Sequence, residues 1–496
     1  MKKQLKSEGK IELKRERFLE NFSKEVEAGN AAVFAGAGFS CAAGFVNWSD
    51  LLSDIANDLD LDSKKEADLV AVAQYHVNRH GNNRGHLTRA VLEEFPSERL
   101  PTGNHRLLMR LPISTWWTTN YDKLIERAGE LEGKIVDIKY EVSQMAHTKP
   151  RRDLTVFKMH GDIDHPGKAV LTRDDYEEYP RERDTFLNAL SGDLISKTFL
   201  FIGFSFTDPN LERVLSHVRI RLRENQRPHY AIFKTVDKAD YDSADEYQYA
   251  RVKQELVLED LRRFNINPVM IDEYSEIDKI IRSLYGRHVA KNVFVSTSAA
   301  SFEPWGEAAV TEFMGHLGTL LAQRGFRIVT GLGVGTGSAL VSGAIVEISR
   351  DPKKKLDDDI IIRPFPQLFQ DGLEREQMWR DYRNDMIQRA GIALFLFGNK
   401  NVDGEIRNAT GMIEEFKIAR ENGLMALPIG ATGWIASELA EQVINELDQE
   451  LANPIIDKLR RIAEPTEDLM TLIGAIIDLL EELSNFAGDE PRHISL

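Results

Sequence analysis

Short apolar segments that alternate with helix-compatible stretches constrain this sequence most strongly. In the first half, strand-like segments fall at 31–35, 113–119, 154–159, 198–204 and 229–233. A second series starts near Asn292 with 293–296 and continues at 326–330, 359–363, 392–397 and 424–429. This alternation is typical of parallel sheets covered by helices on both faces. The sequence therefore predicts an α/β fold of two doubly wound, Rossmann-like domains, spanning 1–284 and 285–496, with a helical insertion over 49–110.

Composition limits the partners and the compartment that we expect. The chain of 496 residues has 63 basic and 79 acidic side chains, a formal charge of −16. This balance disfavours broad binding to nucleic acid or to an anionic membrane. No run reaches the roughly 18 apolar residues that a membrane span needs, so we predict a cytoplasmic protein with no membrane and no nucleic-acid partner. Within the insertion, we expect the His, Arg and Asn side chains of 76–86 to be solvated.

A glycine turn follows the first predicted strand. Residues 36–40 read GAGFS and come directly after Ala35. Glycines let backbone amides approach a phosphate, and a helix that follows presents its positive end there. A tight structural turn explains the same residues equally well.

Polar residues also follow three later strands. Thr119, Asn120 and Asp122 could orient a ribose or an amide, or cap the helix that starts near Lys123. His160 stands beside Gly161 at the next strand end, where a histidine is often only a surface or core residue. Gly203 and Ser205 follow the fourth strand, where a loop and helix cap is the alternative.

These four features in this order resemble the sirtuin family over about the first 280 residues. The resemblance implies NAD+ as substrate, with Asn120 and His160 as the catalytic pair and His160 as the base. The NAD+-binding residues that it implies are Ala35, Gly36, Ala37, Gly38, Ser40, Thr119, Asp122, Gly203 and Ser205. Deacylating sirtuins carry a four-cysteine zinc module, which the single Cys41 cannot supply. We therefore expect hydrolysis of NAD+ to nicotinamide and ADP-ribose, without a metal.

The second half contains a glycine-rich loop, 331–338, and charged residues near other strand ends. Arginine and lysine can clamp phosphates, and a glutamate suits ribose hydroxyls. This half resembles the SLOG family of nucleotide-binding proteins across roughly 290–490. Its enzymatic relatives carry a diglycine signature that the segment 408–415 lacks, although the glutamate is kept, so we expect binding rather than catalysis. The messenger contacts that the resemblance implies are Ser296, Gly333, Gly335, Arg383, Lys400 and Glu415.

A sirtuin-like domain joined to a SLOG-like domain resembles the NAD-depleting effectors of the bacterial Thoeris anti-phage system. The resemblance implies a cyclic ADP-ribose-type messenger made by a TIR-domain partner, activation of NAD+ hydrolysis, and abortive infection. It also implies a homo-oligomer, a tetramer or larger, although we see no heptad or exposed apolar stripe in the sequence. Two alternatives stay open: an NAD-dependent protein deacylase, and a non-enzymatic sensor that binds NAD or another nucleotide without cleaving it.

Overall fold

The computed structural model describes residues 2–66, 68–95, 99–352, 354–364, 372–447 and 454–486. The chain divides into two compact units, Met1–Tyr285 and Gly286–Leu496. Each unit contains one parallel sheet covered by helices, so the predicted α/β fold class is confirmed. No helix in these described ranges is both long and apolar enough to cross a lipid bilayer.

The first unit contains a seven-stranded sheet in the order β3-β4-β2-β1-β5-β6-β7, with every neighbouring pair parallel. Its strands are β1 (Ala31–Ala35), β2 (Thr115–Thr118), β3 (Val136–Lys139), β4 (Leu154–Lys158), β5 (Thr198–Ile202), β6 (His229–Lys234) and β7 (Ile266–Ile271). Side chains of β1 alternate between two cores: Val33 and Ala35 pack on one face, and Ala32 and Phe34 on the other. Burial on both faces explains why this strand reads as a continuous apolar run.

The first thirteen helices in chain order are α1 (Lys2–Glu27), α2 (Ala37–Cys41), α3 (Trp48–Leu51), α4 (Ser53–Asn57), α5 (Leu69–Arg79), α6 (Gly85–Glu94), α7 (Gly103–Arg110), α8 (Leu124–Leu131), α9 (Arg173–Glu182), α10 (Asp184–Ser196), α11 (Pro209–Leu222), α12 (Ala244–Leu261) and α13 (Glu276–Val289). The predicted helical insertion corresponds to α3–α7. One expectation there is wrong: His76 is buried, because it lies on the face of α5 that packs toward the insertion's own apolar cluster.

The second unit has a five-stranded parallel sheet in the order β10-β9-β8-β11-β14 and a separate antiparallel hairpin, β12-β13. Its strands are β8 (Asn292–Ser298), β9 (Arg327–Thr330), β10 (Ile360–Ile362), β11 (Ile392–Phe397), β12 (Asn399–Val402), β13 (Glu405–Asn408) and β14 (Met425–Pro428). Its helices are α14 (Glu307–Gln323), α15 (Gly337–Ile348), α16 (Leu356–Asp359), α17 (Gly372–Ile387), α18 (Thr410–Glu421), α19 (Trp434–Leu447), α20 (Pro454–Ala463) and α21 (Met470–Phe486).

Helix α12 carries an apolar stripe that the sequence analysis did not recognise. Tyr249, Val252 and Leu256 recur at helical spacing, and their residues are 71%, 41% and 61% exposed. Charged residues alternate with these apolar residues along α12, so the segment does not show a clear apolar pattern in the sequence. The expectation that no exposed apolar stripe exists is therefore wrong.

Candidate active site

The carboxyl ends of β1, β2, β4 and β5 lie at one edge of the first sheet, because these strands are parallel neighbours. Strand β1 lies between β2 and β5, where the chain changes direction across the sheet. In open α/β sheets, ligands bind in the crevice at such a point. The residues predicted to hold NAD+ follow these four strands, so the fold gathers them at this edge.

The glycine turn after β1 packs against the loop after β5. Gly36 N donates to Ile202 O and Gly38 N donates to Gly203 O, both at 2.9 Å. A Cβ on Gly36 would lie 2.4 Å from the carbonyl oxygen of Gly203, whose own φ is +63°. Close packing of two backbones is therefore one reason for these glycines. The helix that follows, α2, has only five residues, so its dipole is small.

Asn120 is held by the glycine turn. Its Nδ2 donates to Gly36 O at 3.0 Å and to Ser40 Oγ at 2.9 Å. Ser40 Oγ in turn donates to Asp122 Oδ2 at 2.7 Å. Because both Nδ2 hydrogens are used, Asn120 can act on a substrate through its amide oxygen, which accepts hydrogen bonds from water or a ribose hydroxyl.

Asp122 has a structural role beside any contact with a ligand. Its Oδ1 accepts from Leu124 N, the first residue of α8, at 2.9 Å. The carboxylate therefore satisfies a backbone donor at the helix start, although Lys123 occupies the cap position itself. Its Oδ2 holds Ser40, so the carboxylate fixes the group that holds Asn120. Asp122 is thus placed to position Asn120.

His160 lies against a carboxylate that the sequence analysis did not assign. Its Nε2 lies 3.0 Å from Oδ2 of Asp208, and both side chains are buried. Burial would raise the pKa of Asp208, but His160 and hydrogen bonds from Leu211 N and Tyr176 outweigh it and lower that pKa. An ionised carboxylate at Nε2 favours the tautomer with the proton on that nitrogen, which leaves Nδ1 as the basic atom.

Asp208 resembles an ordinary helix cap in the sequence, which explains why it was missed. Its Oδ1 caps α11 by accepting from Leu211 N at 2.8 Å, and Pro209 occupies the first helical position. The Asp-Pro pair predicts this cap. Nothing local indicates that the second oxygen holds a histidine from another strand end.

Asn120 and His160 occupy matching positions on neighbouring strands. Thr118 of β2 pairs with Lys158 of β4, and each of the two polar residues follows its strand by two positions. Met159 N donates to Thr118 O at 2.9 Å, which continues this pairing toward the loops. The register therefore brings the amide and the imidazole to the same part of the sheet edge.

Lys158 ties these two loops together. Its ammonium group is fully buried and shares its three N–H donors among four oxygens: Tyr121 O, Asp122 O at 2.5 Å, and the carboxylates of Glu126 and Asp162 at 2.8 and 2.7 Å. Burial alone would lower the pKa of Lys158, but attraction to the two carboxylates is stronger, so the pKa is raised. One buried cation thus links the loop of Asn120 to the loop of His160.

The remaining predicted residues lie at the same edge with different exposure. Ala35 is buried, and its carbonyl accepts from Thr118 Oγ1 at 2.9 Å. Ala37 and Thr119 are half-buried. Ser205 is exposed, with its hydroxyl 2.9 Å from that of Thr207.

The second unit has a cleft of about 1010 Å³ at the carboxyl ends of β8 and β9. Strand β8 is the point where the sheet order reverses, because β9 lies on one side of it and β11 on the other. The predicted messenger contacts that line it are Ser296, Gly333, Arg383, Lys400 and Glu415. Gly335 packs instead against the loop after β8, where its Cβ would lie 2.0 Å from Ala299 O.

A half-buried carboxylate, that of Glu415, lines this cleft. Ser296 Oγ donates to Glu415 Oε2 at 2.6 Å, and Arg383 Nε lies 3.5 Å from Glu415 Oε1. Burial raises the pKa of Glu415, and the bonds from Ser296 and Arg383 only partly oppose it. Trp379, which the sequence analysis did not assign, also lines the cleft, and the Arg383 guanidinium lies 5.8 Å from its ring centroid.

Two glycines of the 331–338 loop are required by packing. A Cβ on Gly333 would lie 1.5 Å from Thr297 O, and Gly335 has φ +78°. The loop therefore runs backbone to backbone along the end of β8. Helix α15 begins at Gly337, with Thr336 before it. Close approach to a phosphate is not needed to explain these glycines, although Gly333 also lines the cleft.

Comparison with known proteins identifies the families to which the two halves of the chain are similar. The model of the Sir2- and TIR-associating SLOG family matches residues 276–483, and that of the SIR2-like domain matches 114–254. A relative named NAD(+) hydrolase ThsA from Acinetobacter baumannii is 45% identical over 473 residues, which cover 93% of this chain and 98% of the relative. The chain belongs to the ThsA family. The ThsA relative from Bacillus cereus is 43% identical, over 95% of this chain and 98% of its own length.

A more distant relative shares only part of the chain. Defense-associated sirtuin 2 from Bacillus subtilis is 27% identical over 199 residues, which cover 38% of this chain and 19% of that protein. The matched SIR2-like region contains Asn120, His160 and Asp208, and the matched SLOG region contains Arg383 and Glu415. ThsA family membership thus agrees with the sirtuin-like and SLOG-like assignments of the two halves.

Proposed function

We propose that this chain is a messenger-gated NAD+ glycohydrolase that depletes NAD+ during bacterial anti-phage defence. Membership of a family whose relatives are named NAD(+) hydrolase, at 40–45% identity, makes the chain an NAD+ hydrolase. The observation that carries the site assignment is the placement of Asn120 and of the His160–Asp208 pair on matched positions of one sheet edge.

The proposed reaction breaks the bond between the nicotinamide nitrogen and the ribose. The bonding electrons leave with neutral nicotinamide, and the oxocarbenium-like sugar carbon is attacked by water. The Asn120 amide oxygen orients that water or the ribose hydroxyls. His160 Nδ1 accepts the proton that the water loses, while Asp208 holds the imidazole. The products are nicotinamide and ADP-ribose, and no step uses a metal.

In this proposal the NAD+-binding edge is formed by the loops after β1, β2 and β5. Gly36, Ala37, Gly38 and Ser40 follow β1, Thr119 and Asp122 follow β2, and Gly203 and Ser205 follow β5. The protein deacylase alternative is disfavoured because Cys41 is the only cysteine of the chain, so a four-cysteine module cannot form.

The second unit is proposed to bind a cyclic ADP-ribose-type messenger in its cleft. Arg383 and Lys400 offer positive charge to phosphates, and Glu415 with Ser296 offers a polar floor for ribose hydroxyls. The description of the matching family as TIR-associating supports a TIR-domain enzyme as the source of the messenger. The activity would then be off until infection and would end in abortive infection.

We further propose that the protein is a cytoplasmic homo-oligomer, a tetramer or larger. The apolar stripe of α12, formed by Tyr249, Val252 and Leu256, supports self-association, because large exposed apolar side chains in one row suit an interface. The acidic net charge of −16 supports the expectation of no nucleic-acid partner.

Release of nicotinamide from NAD+ tests this function. We expect purified full-length protein to release nicotinamide when a cyclic ADP-ribose isomer is present, and far less without it. Incubation with acetyl-lysine peptide and NAD+ is the matched control, and deacetylation there would favour the deacylase. Tight NAD+ binding with no nicotinamide under any messenger condition would favour the non-enzymatic sensor and contradict the proposal.

A further inference from the structure

A cluster of histidines and one aspartate lies within the helical insertion of the first unit. Asp58 directly follows α4, and His76 lies in α5. His80 is one turn after His76 and directly follows α5. Oδ2 of Asp58 lies 3.3 Å from Nε2 of His76 and 3.5 Å from Nε2 of His80. All three ligand atoms lie within 4.8 Å of one another.

These distances match the edges of a metal coordination sphere. Zinc binds imidazole nitrogen and carboxylate oxygen at about 2.0–2.2 Å, so tetrahedral geometry separates neighbouring ligand atoms by about 3.4 Å. Two imidazoles with one carboxylate form a ligand set that zinc accepts readily. We propose that Asp58, His76 and His80 form a zinc site that clamps the end of α4 to the end of α5.

The orientation of His80 provides a second argument. Its Nδ1 lies 2.9 Å from the carbonyl oxygen of His76, which can only accept a hydrogen bond. Nδ1 therefore carries a proton, and in a neutral ring the lone pair of Nε2 faces the Asp58 carboxylate. A metal ion between these two acceptors, or a second proton on the ring, would relieve their repulsion at 3.5 Å. A backbone carbonyl at the outer nitrogen is also the usual way to orient a metal-binding histidine.

The surroundings of the cluster favour a bound cation electrostatically and leave one side of the cluster open to solvent. The cluster lies at the carboxyl end of α5, an eleven-residue helix, where the helix dipole favours positive charge. The His76 side chain is 3% exposed, whereas Asp58 is 50% exposed, so one side of the cluster is open to solvent. The fourth ligand would be water or His86, whose ring centroid lies 5.1 Å from that of His80.

Zinc content and zinc binding test the proposal directly. Tag-free full-length protein, stripped with a chelator and dialysed against ZnCl₂, should retain about one zinc per chain, because ligand set and geometry suit the ion. We expect Asp58→Ala and His80→Ala each to weaken zinc binding by more than about 100-fold in calorimetric titration. Both residues are partly exposed, so these variants should fold.

The matched control is His217→Ala, which removes an exposed histidine of α11 outside the cluster. It should bind zinc like the wild type, and zinc should raise the unfolding temperature of both but not of the two cluster variants. If the wild type retains no zinc, the proposal is wrong, and the three side chains interact only through hydrogen bonds and ion pairs. Unchanged binding in both cluster variants would also overturn it. Neither outcome bears on nicotinamide release.

Discussion

At the scale of single residues, the candidate active site is held in place by buried polar side chains that bond to one another. Ser40 links Asp122 to Asn120, and Asp208 holds His160 while it caps α11. An unsatisfied buried polar group costs about 1–3 kcal/mol, so each of these groups is strongly constrained by its partner. The candidate base is thus fixed by residues that need not contact NAD+.

The pair of His160 and Asp208 leads to a first prediction. Asp208→Asn keeps an oxygen that can cap α11 but removes the charge that favours the proton on His160 Nε2. We expect messenger-stimulated nicotinamide release to fall by about 10²- to 10⁴-fold, with little change in the unfolding temperature. Asp193→Asn is the control, because Asp193 accepts from Trp117 Nε1 and Asn can do the same. Equal losses in both variants would refute a specific role for Asp208.

Polar residues that follow an apolar strand could be predicted from the sequence. Buried side chains whose hydrogen-bond partners lie elsewhere in the chain could not. Asn120, Asp122 and His160 follow apolar strands, which made them candidates, and the resemblance to sirtuins then implied their roles. Lys158 is indistinguishable in sequence from an exposed lysine, yet it is fully buried against Glu126 and Asp162. Its partners lie 32 residues before it and 4 after it, so their convergence depends on the register of β2 and β4.

At the scale of elements, the interior strands were predictable and several edge strands were not. Strand β3 lies at one edge of the first sheet and contains Asp137 and Lys139, which form an ion pair at 3.0 Å. Strand β7 lies at the other edge and contains Pro268. Edge positions tolerate charge and proline, so these segments lack the apolar run that indicates a buried strand. The β12-β13 hairpin, which bears Lys400, was missed for the same reason.

Contact between α14 and α15 leads to a prediction about packing. A Cβ on Gly318 would lie 1.9 Å from Leu340 O, whereas one on Gly315 would make only an ordinary 3.8 Å contact with Ala339 O. Gly318→Ala should therefore push the helices apart and lower the free energy of unfolding by about 1–3 kcal/mol. Gly315→Ala, in the same helix, should raise it by about 0.5–1 kcal/mol. Denaturant unfolding of the full-length variants would measure both, and similar destabilisation by the two changes would disprove this packing.

At the scale of the whole molecule, messenger binding in the second unit is proposed to control NAD+ hydrolysis in the first. A messenger can shift the catalytic unit toward activity only by its difference in affinity for the two states. A substitution that weakens messenger binding in the cleft should therefore raise the messenger concentration needed for activation. The maximal rate of NAD+ hydrolysis should stay the same. The sequence identified the family of each half, but the coupling between the halves lies beyond any local pattern.

Lys400 tests this coupling because it is exposed and lines the cleft. We expect Lys400→Ala to raise the half-activating messenger concentration by about 10- to 100-fold, the cost of one hydrogen bond to a charged group. Maximal nicotinamide release should match the wild type. Lys355→Ala removes an exposed lysine outside the lining and should change neither quantity. A lower maximum with unchanged half-activation in Lys400→Ala would argue against a messenger contact.

Nicotinamide release by Asn120→Ala and His160→Ala at saturating messenger tests the proposed hydrolysis most sharply. Each variant should lose about 10²-fold or more of the wild-type rate, because each removes a group that acts on the same sugar carbon. Each should stay folded with a lowered unfolding temperature, because a buried partner left unpaired costs about 1–3 kcal/mol. Wild-type rates in either folded variant would contradict the claim that these two side chains carry out the hydrolysis.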